Sequence, residues 1–174
     1  AGVYDKIGQD AKSLIINECL RWCGENGVEG LLAVGGGSVL DTVKGLKIML
    51  GFGVRDIAEI MRATVGIHTG LVVQPLTFPH IAVPTTAGTG AESSPGAVIL
   101  VEEEGLKGNI MHPHLPAQVA VLDPRVTVSL PSRLTAETGC DALSHCIEAF
   151  FARNANSLSD AFAIHAIKLI RKYL

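Results

Sequence analysis

A chain of 174 residues with 48% apolar content can bury one ordinary domain and an appendage, which excludes a disordered polypeptide. The formal net charge is −3, and Lys12, Lys44, Lys47, Arg55 and Arg62 are scattered among acids, so neither nucleic acid nor an acidic membrane surface is an expected partner. Four cysteines without a Cys-x-x-Cys motif make no disulfide framework, no apolar run approaches the about 20 residues that span a bilayer, and no basic leader opens the chain, so a soluble cytoplasmic protein is expected.

Apolar spacing predicts an amphipathic helix over 7–24, with Leu14, Ile15, Cys19, Trp22 and Cys23 inward and Glu25-Asn26-Gly27 as its stop. A buried strand over 30–34 runs into Gly35, Gly36 and Gly37, and a helix over 38–50 follows with Ser38 as its N-cap. Another helix is expected over 54–62 and irregular chain over 65–78. His80 then opens a strand over 80–83. Residues 97–101 and 106–111 read as a hairpin whose solvated tip is the acidic run Glu102-Glu103-Glu104, and 118–122 reads as a further strand. Strands alternating with helices predict an α/β fold with a parallel, helix-covered sheet. Beyond Leu130-Pro131 the pattern turns to continuous helix, over 135–152 and 158–174. The domain junction is therefore expected near Pro131, dividing the chain into 1–130 and 131–174.

Three segments carry chemistry. At the strand-to-helix junction Gly35-Gly36-Gly37-Ser38, the glycines lack Cβ atoms that would hold a pyrophosphate off the backbone, and the amides beyond Ser38 point out at the positive end of a helix dipole. Taken alone, this is as consistent with a tight turn as with a phosphate loop; it is neither a Gly-x-Gly-x-x-Gly fingerprint nor a P-loop. The segment Pro84-Thr85-Thr86-Ala87-Gly88-Thr89-Gly90, continuing to Ser93 and Ser94, also leaves an apolar run and fills with hydroxyls. Such a loop wraps a nucleotide or lies plainly on the surface. Asp141 and His145, four apart on a helix, put a carboxylate and an imidazole on one face, the arrangement of two metal ligands or of a surface hydrogen-bonded pair.

Together, Gly35-Gly-Gly-Ser-Val-Leu-Asp41 with Lys44, Pro84-Thr-Thr-Ala-Gly-Thr-Gly-Ala-Glu92, Leu122-Asp-Pro124 and Thr138-Gly-Cys-Asp-Ala-Leu-Ser-His-Cys-Ile-Glu148 resemble, in order and spacing, the iron-containing alcohol dehydrogenases. The resemblance implies a Rossmann-like nucleotide-binding domain, whose first βαβ unit would precede this chain, followed by the start of an all-helical metal domain. It further implies an oxidoreductase that interconverts an alcohol with an aldehyde or ketone, using NAD or NADP and a divalent cation, iron(II) or zinc. Gly36, Gly37, Ser38 and Asp41 would belong to the pyrophosphate loop, Thr85, Thr86 and Ser94 to the second cofactor loop, and Lys107 would be a ribose-side lysine. Asp141 and His145 would be the first two metal ligands, with two histidines further along the family's helical domain as the others. A homo-oligomer with a small-molecule substrate is implied for the longer protein. Hydroxyacid-oxoacid transhydrogenases, maleylacetate reductases and glycerol dehydrogenases share this architecture, and a non-catalytic remnant is the alternative outside enzymes. Ala91 departs from the serine common before the glutamate, and Cys140 and Cys146 flank the ligand pair where other small residues are usual.

Overall fold

In the computed structural model, residues 2–64 and 73–174 are described; His68 and most of the expected irregular stretch lie outside them. The chain forms two compact units. The larger comprises Ala1–Pro84 and Ala91–Asp123, and the second comprises Thr85–Gly90 and Pro124–Leu174. The division thus falls at Pro124, ahead of the junction expected near Pro131, because a short 3-10 turn at Pro124–Thr127 groups with the helices that follow it.

The larger unit is α/β, as the alternation predicts, and holds two three-stranded sheets. In the first, β1 (Ala11–Lys12) pairs in parallel with β4 (Gly96–Val101), which pairs antiparallel with β5 (Leu106–Met111). In the second, β2 (Leu31–Gly35), β3 (His80–Pro84) and β6 (Val119–Ala120) are all parallel, in that order. The expected hairpin is present, and β6 is shorter than its apolar run implied.

Helix α1 (Ser13–Glu25) starts later than expected, because Ala11 and Lys12 are drawn into pairing with Ile99 and Leu100. Its phase also differs. Ser13, Ile16, Cys19 and Cys23 are buried, whereas Leu14 is half exposed. The acidic run is only partly a solvated tip: Glu102 Oε2 accepts from Leu14 N at 3.3 Å and Ser13 Oγ at 3.4 Å, placing a carboxylate at the positive end of α1.

Helix α2 (Gly37–Phe52) serves both sheets. Leu40 and Val43 pack on Ala33 and Ala82 of the parallel sheet, while Ile48 and Met49 join Ile16, Ile99, Ile110 and the α3 (Ile57–Thr64) residues Ile57 and Met61 in the main core. The other face of the parallel sheet is open among the described residues: Leu32 is 64% exposed, Val34 53% and Ile81 40%. The expectation of a buried β2 therefore holds for Ala33 alone.

His80 opens β3 fully buried, and neither ring nitrogen has a hydrogen-bond partner among the described residues. Burial pushes the ring down to about 4, and the charges of Lys47 and Lys44 act in the same direction. An unfolded imidazole protonates near 6.5, so the stability tied to keeping His80 neutral is complete above that pH and is lost as pH falls toward 4. The loss amounts to about 3 kcal/mol at its limit. Thermal melts between pH 7 and 4 are expected to show this decline in the native protein and a flatter profile in His80→Leu.

In the second unit, α4 (Ser132–Phe151) and α5 (Ser157–Tyr173) form a helical hairpin close to the expected spans. Asn156 caps α5 by accepting from Leu158 N and Ser159 N, while the Ser159 hydroxyl accepts from Asn156 N. No helix among the described residues is long and apolar enough to cross a membrane.

Candidate functional site

Where β2 ends, Gly35 lies so close to Val39 that a Cβ would overlap the valine side chain, which forces glycine at the turn. Gly36 is the N-cap of α2, in extended backbone and with no side-chain cap, and no acid occupies the first turn. Ser38, expected as the N-cap, instead lies within that first turn, because the helix already begins at Gly37. The amides of Gly37 and Ser38 have no carbonyl four residues back in the helix, and they sit at its positive end. The Ser38 hydroxyl accepts from Asp10 N at 3.0 Å. These groups can cradle an anion.

Asp41 and Ser94 meet at Lys44, whose side chain is fully buried. Lys44 Nζ donates to Gly96 O at 2.6 Å, Ser94 Oγ at 2.9 Å and Asp41 Oδ1 at 3.3 Å, and Asp41 Oδ2 accepts from Val98 N at 3.0 Å. Burial raises the Asp41 carboxyl and lowers the Lys44 ammonium, each opposed by the other's charge. Both carboxylate oxygens of Asp41 are thereby engaged in fixing α2 against β4. Lys107, on β5, is exposed and donates to Asp10 Oδ1 at 2.9 Å.

Gly35 is in register with Pro84, so β2 and β3 end at the same edge of the parallel sheet. The second loop, Thr85–Gly90, groups with the helices. Gly88 approaches α4 so closely that a Cβ would overlap the Thr138 carbonyl oxygen. Thr85 and Thr86 are half-buried on this loop.

One turn beyond Thr138, Asp141 and His145 share a face of α4, with Asp141 Oδ1 and His145 Nε2 3.8 Å apart and both side chains roughly half exposed. A carboxylate oxygen and an imidazole nitrogen at this separation, both reachable from solvent, fit adjacent positions around one divalent cation. They supply two donors. Among the described residues, no cluster of three or more His, Cys, Asp or Glu side chains could hold a metal ion. Neither Asp10 nor the Gly88–Thr138 approach is signalled along the chain, because a lone acid and a loop glycine give no sign of partners so distant in sequence.

A family profile described as "Iron-containing alcohol dehydrogenase" matches residues 1–124, and one described as "Fe-containing alcohol dehydrogenase family, C-terminal" matches residues 135–174. The probable alcohol dehydrogenase EutG of Escherichia coli is 42% identical over 150 residues, covering 86% of this chain and 36% of that protein. The NAD-dependent methanol dehydrogenase of Bacillus methanolicus is 34% identical, covering 99% of this chain and 43% of that protein. Sulfoacetaldehyde reductase from Bifidobacterium kashiwanohense, solved in complex with NAD+, superposes with a TM-score of 0.87 at 32% identity, covering 99% of this chain and 44% of that one. The chain therefore spans well under half the length of these relatives.

Replacing Gly88 with Ala is expected to force the loop off α4 and to cost about 1–3 kcal/mol, as overpacking does. Thermal denaturation measures the cost. A melting temperature equal to that of the unsubstituted protein would remove the close approach from the account.

Proposed function

The chain belongs to the iron-containing alcohol dehydrogenase family, and on that basis we propose that it supplies phosphate-binding and metal-ligating elements of a nicotinamide-dependent dehydrogenase interconverting an alcohol with an aldehyde or ketone. The observation that carries this reading is the uncapped start of α2. Glycines lie at Gly36 and Gly37, the helix has no acid in its first turn, and the Ser38 hydroxyl is held beside its free amides.

In this reading Gly37 and Ser38 donate their amides to pyrophosphate oxygens, Gly36 lets the phosphates approach, and the Ser38 hydroxyl adds a donor. Asp41 and Ser94 act on the same loop by holding Lys44, which keeps α2 in place under it. Thr85 and Thr86 offer hydroxyl donors to the cofactor, and Lys107 serves its ribose side. The cofactor in this reading is NAD or NADP.

Asp141 and His145 hold two positions of a divalent cation, iron(II) in first place and zinc in second. When bound, the cation supplies Lewis acidity to the alcohol oxygen of a small-molecule substrate. For that task His145 must be neutral at Nε2 and Asp141 ionised. Among the described residues no third His, Cys, Asp or Glu side chain joins this pair.

Two substitutions in the full-length protein test separate parts of the reading. Gly37→Val places a branched side chain where the phosphates approach and is expected to weaken NADH at least about tenfold, a loss of about 1.4 kcal/mol, with little change in melting temperature. Titration of NADH fluorescence decides it. His145→Ala is expected to lose bound metal and nearly all turnover while NADH affinity stays close to native. Undiminished metal content by elemental analysis would sink the ligand assignment.

A further inference from the structure

Asp10 is the only non-glycine residue with positive φ among the described residues, at 64°. Left-handed backbone is disfavoured for any L residue with a Cβ, and such conformations persist where surrounding structure holds them. Two bonds hold this one. The Asp10 amide donates to Ser38 Oγ at 3.0 Å, and its Oδ1 accepts from Lys107 Nζ at 2.9 Å. One residue ahead of β1 thus ties the start of α2 to β5.

Each bond has a chemical consequence for the loop. Because Ser38 Oγ accepts from Asp10, one of its lone pairs is used on that side, and its own hydrogen, which has no acceptor among the described residues, is turned away and free to donate. The second consequence is electrostatic. The same aspartate carries a carboxylate beside a cradle suited to anions, the wrong sign for a phosphate neighbour. Lys107 neutralises it. The side chains of the pair are 54% and 33% exposed, so the bond contributes little to folding and its removal should leave the protein folded.

We propose that Asp10 is a positioning residue for the cofactor: its amide sets the Ser38 hydroxyl as a donor toward the pyrophosphate, and its carboxylate fixes Lys107, whose charge in turn masks Asp10 from the phosphates. The inference rests on reading the start of α2 as a pyrophosphate cradle. It makes a non-additive demand. Removing Lys107 alone leaves a bare carboxylate next to the phosphates, whereas removing the carboxylate as well takes the repulsion away.

The test is a double-substitution cycle in the full-length protein with Asp10→Asn, Lys107→Ala and the pair together, read by NADH fluorescence titration at low and high salt and by thermal melts, with Gly37→Val as reference. Asparagine tolerates left-handed backbone and keeps the amide, so it isolates the charge. Lys107→Ala is expected to weaken NADH by about tenfold, less at high salt because the repulsion is screened. Adding Asp10→Asn is expected to recover the part of that loss owed to the bare carboxylate, at least about threefold, while the ribose-side contact of Lys107 stays lost, with melting temperatures little changed throughout. A double variant as weak as Lys107→Ala, or weaker, while Gly37→Val also weakens binding, overturns this inference alone. Unchanged NADH affinity in a folded Gly37→Val protein overturns the cradle reading and this inference with it.

Discussion

The larger unit turns on a buried ammonium. Lys44 Nζ is removed from water and must find its acceptors inside the protein, and it finds three, on α2 itself, at Ser94 and on β4. Desolvating a charge is costly, and leaving it without its partners costs about 3–5 kcal/mol. The helix therefore has little freedom to shift along its axis. Since its other residues fill the cores of both sheets, that one fixed point relates β2 and β3 to β4 and β5 through a single element. The start of α2, with Gly36, Gly37 and Ser38, inherits its position from this arrangement. A glycine-bearing loop is held here by a group that does not itself reach the loop.

What could be read along the chain is what depends on near neighbours. The passage from apolar run through three glycines to helical spacing placed β2 and α2, the flanks of Glu102–Glu104 placed the β4–β5 hairpin, and the shift to long helical periods placed α4 and α5. Asp141 and His145 fall on one helical face because four residues make about one turn. The errors share a different origin. Residues 7–12 have helical spacing, yet Ala11 and Lys12 pair with a strand far along the chain, and Asp10 turns left-handed ahead of them. Ser38 is a favoured capping type, but the helix begins at Gly37 with Gly36 as its N-cap, which puts Ser38 inside it.

The family motif was legible as a pattern before its internal division of labour was. Asp41, Lys44 and Ser94 belong to different stretches of the motif, and no spacing rule joins Ser94 to Lys44. Only the folded chain reveals that a carboxylate, an ammonium and a hydroxyl form one buried group, with Val98 N closing its far side. Lys107 is similar, in that its sequence neighbours give no sign of Asp10.

The missing Cβ at Gly88 has a thermodynamic reach beyond its own volume. Because the Thr85–Gly90 loop rests directly on the backbone of α4 at Thr138, one turn ahead of Asp141, any displacement of that turn is also a displacement of the loop. A ligand that shifts a shared support alters the affinity of a second site on it, and any such linkage is reciprocal. If, as proposed, Asp141 and His145 take a cation and Thr85 and Thr86 a nucleotide, whatever factor the cation contributes to nucleotide affinity the nucleotide must return to the cation. A glycine with no chemistry of its own is thus where a coupling free energy between the two would be carried.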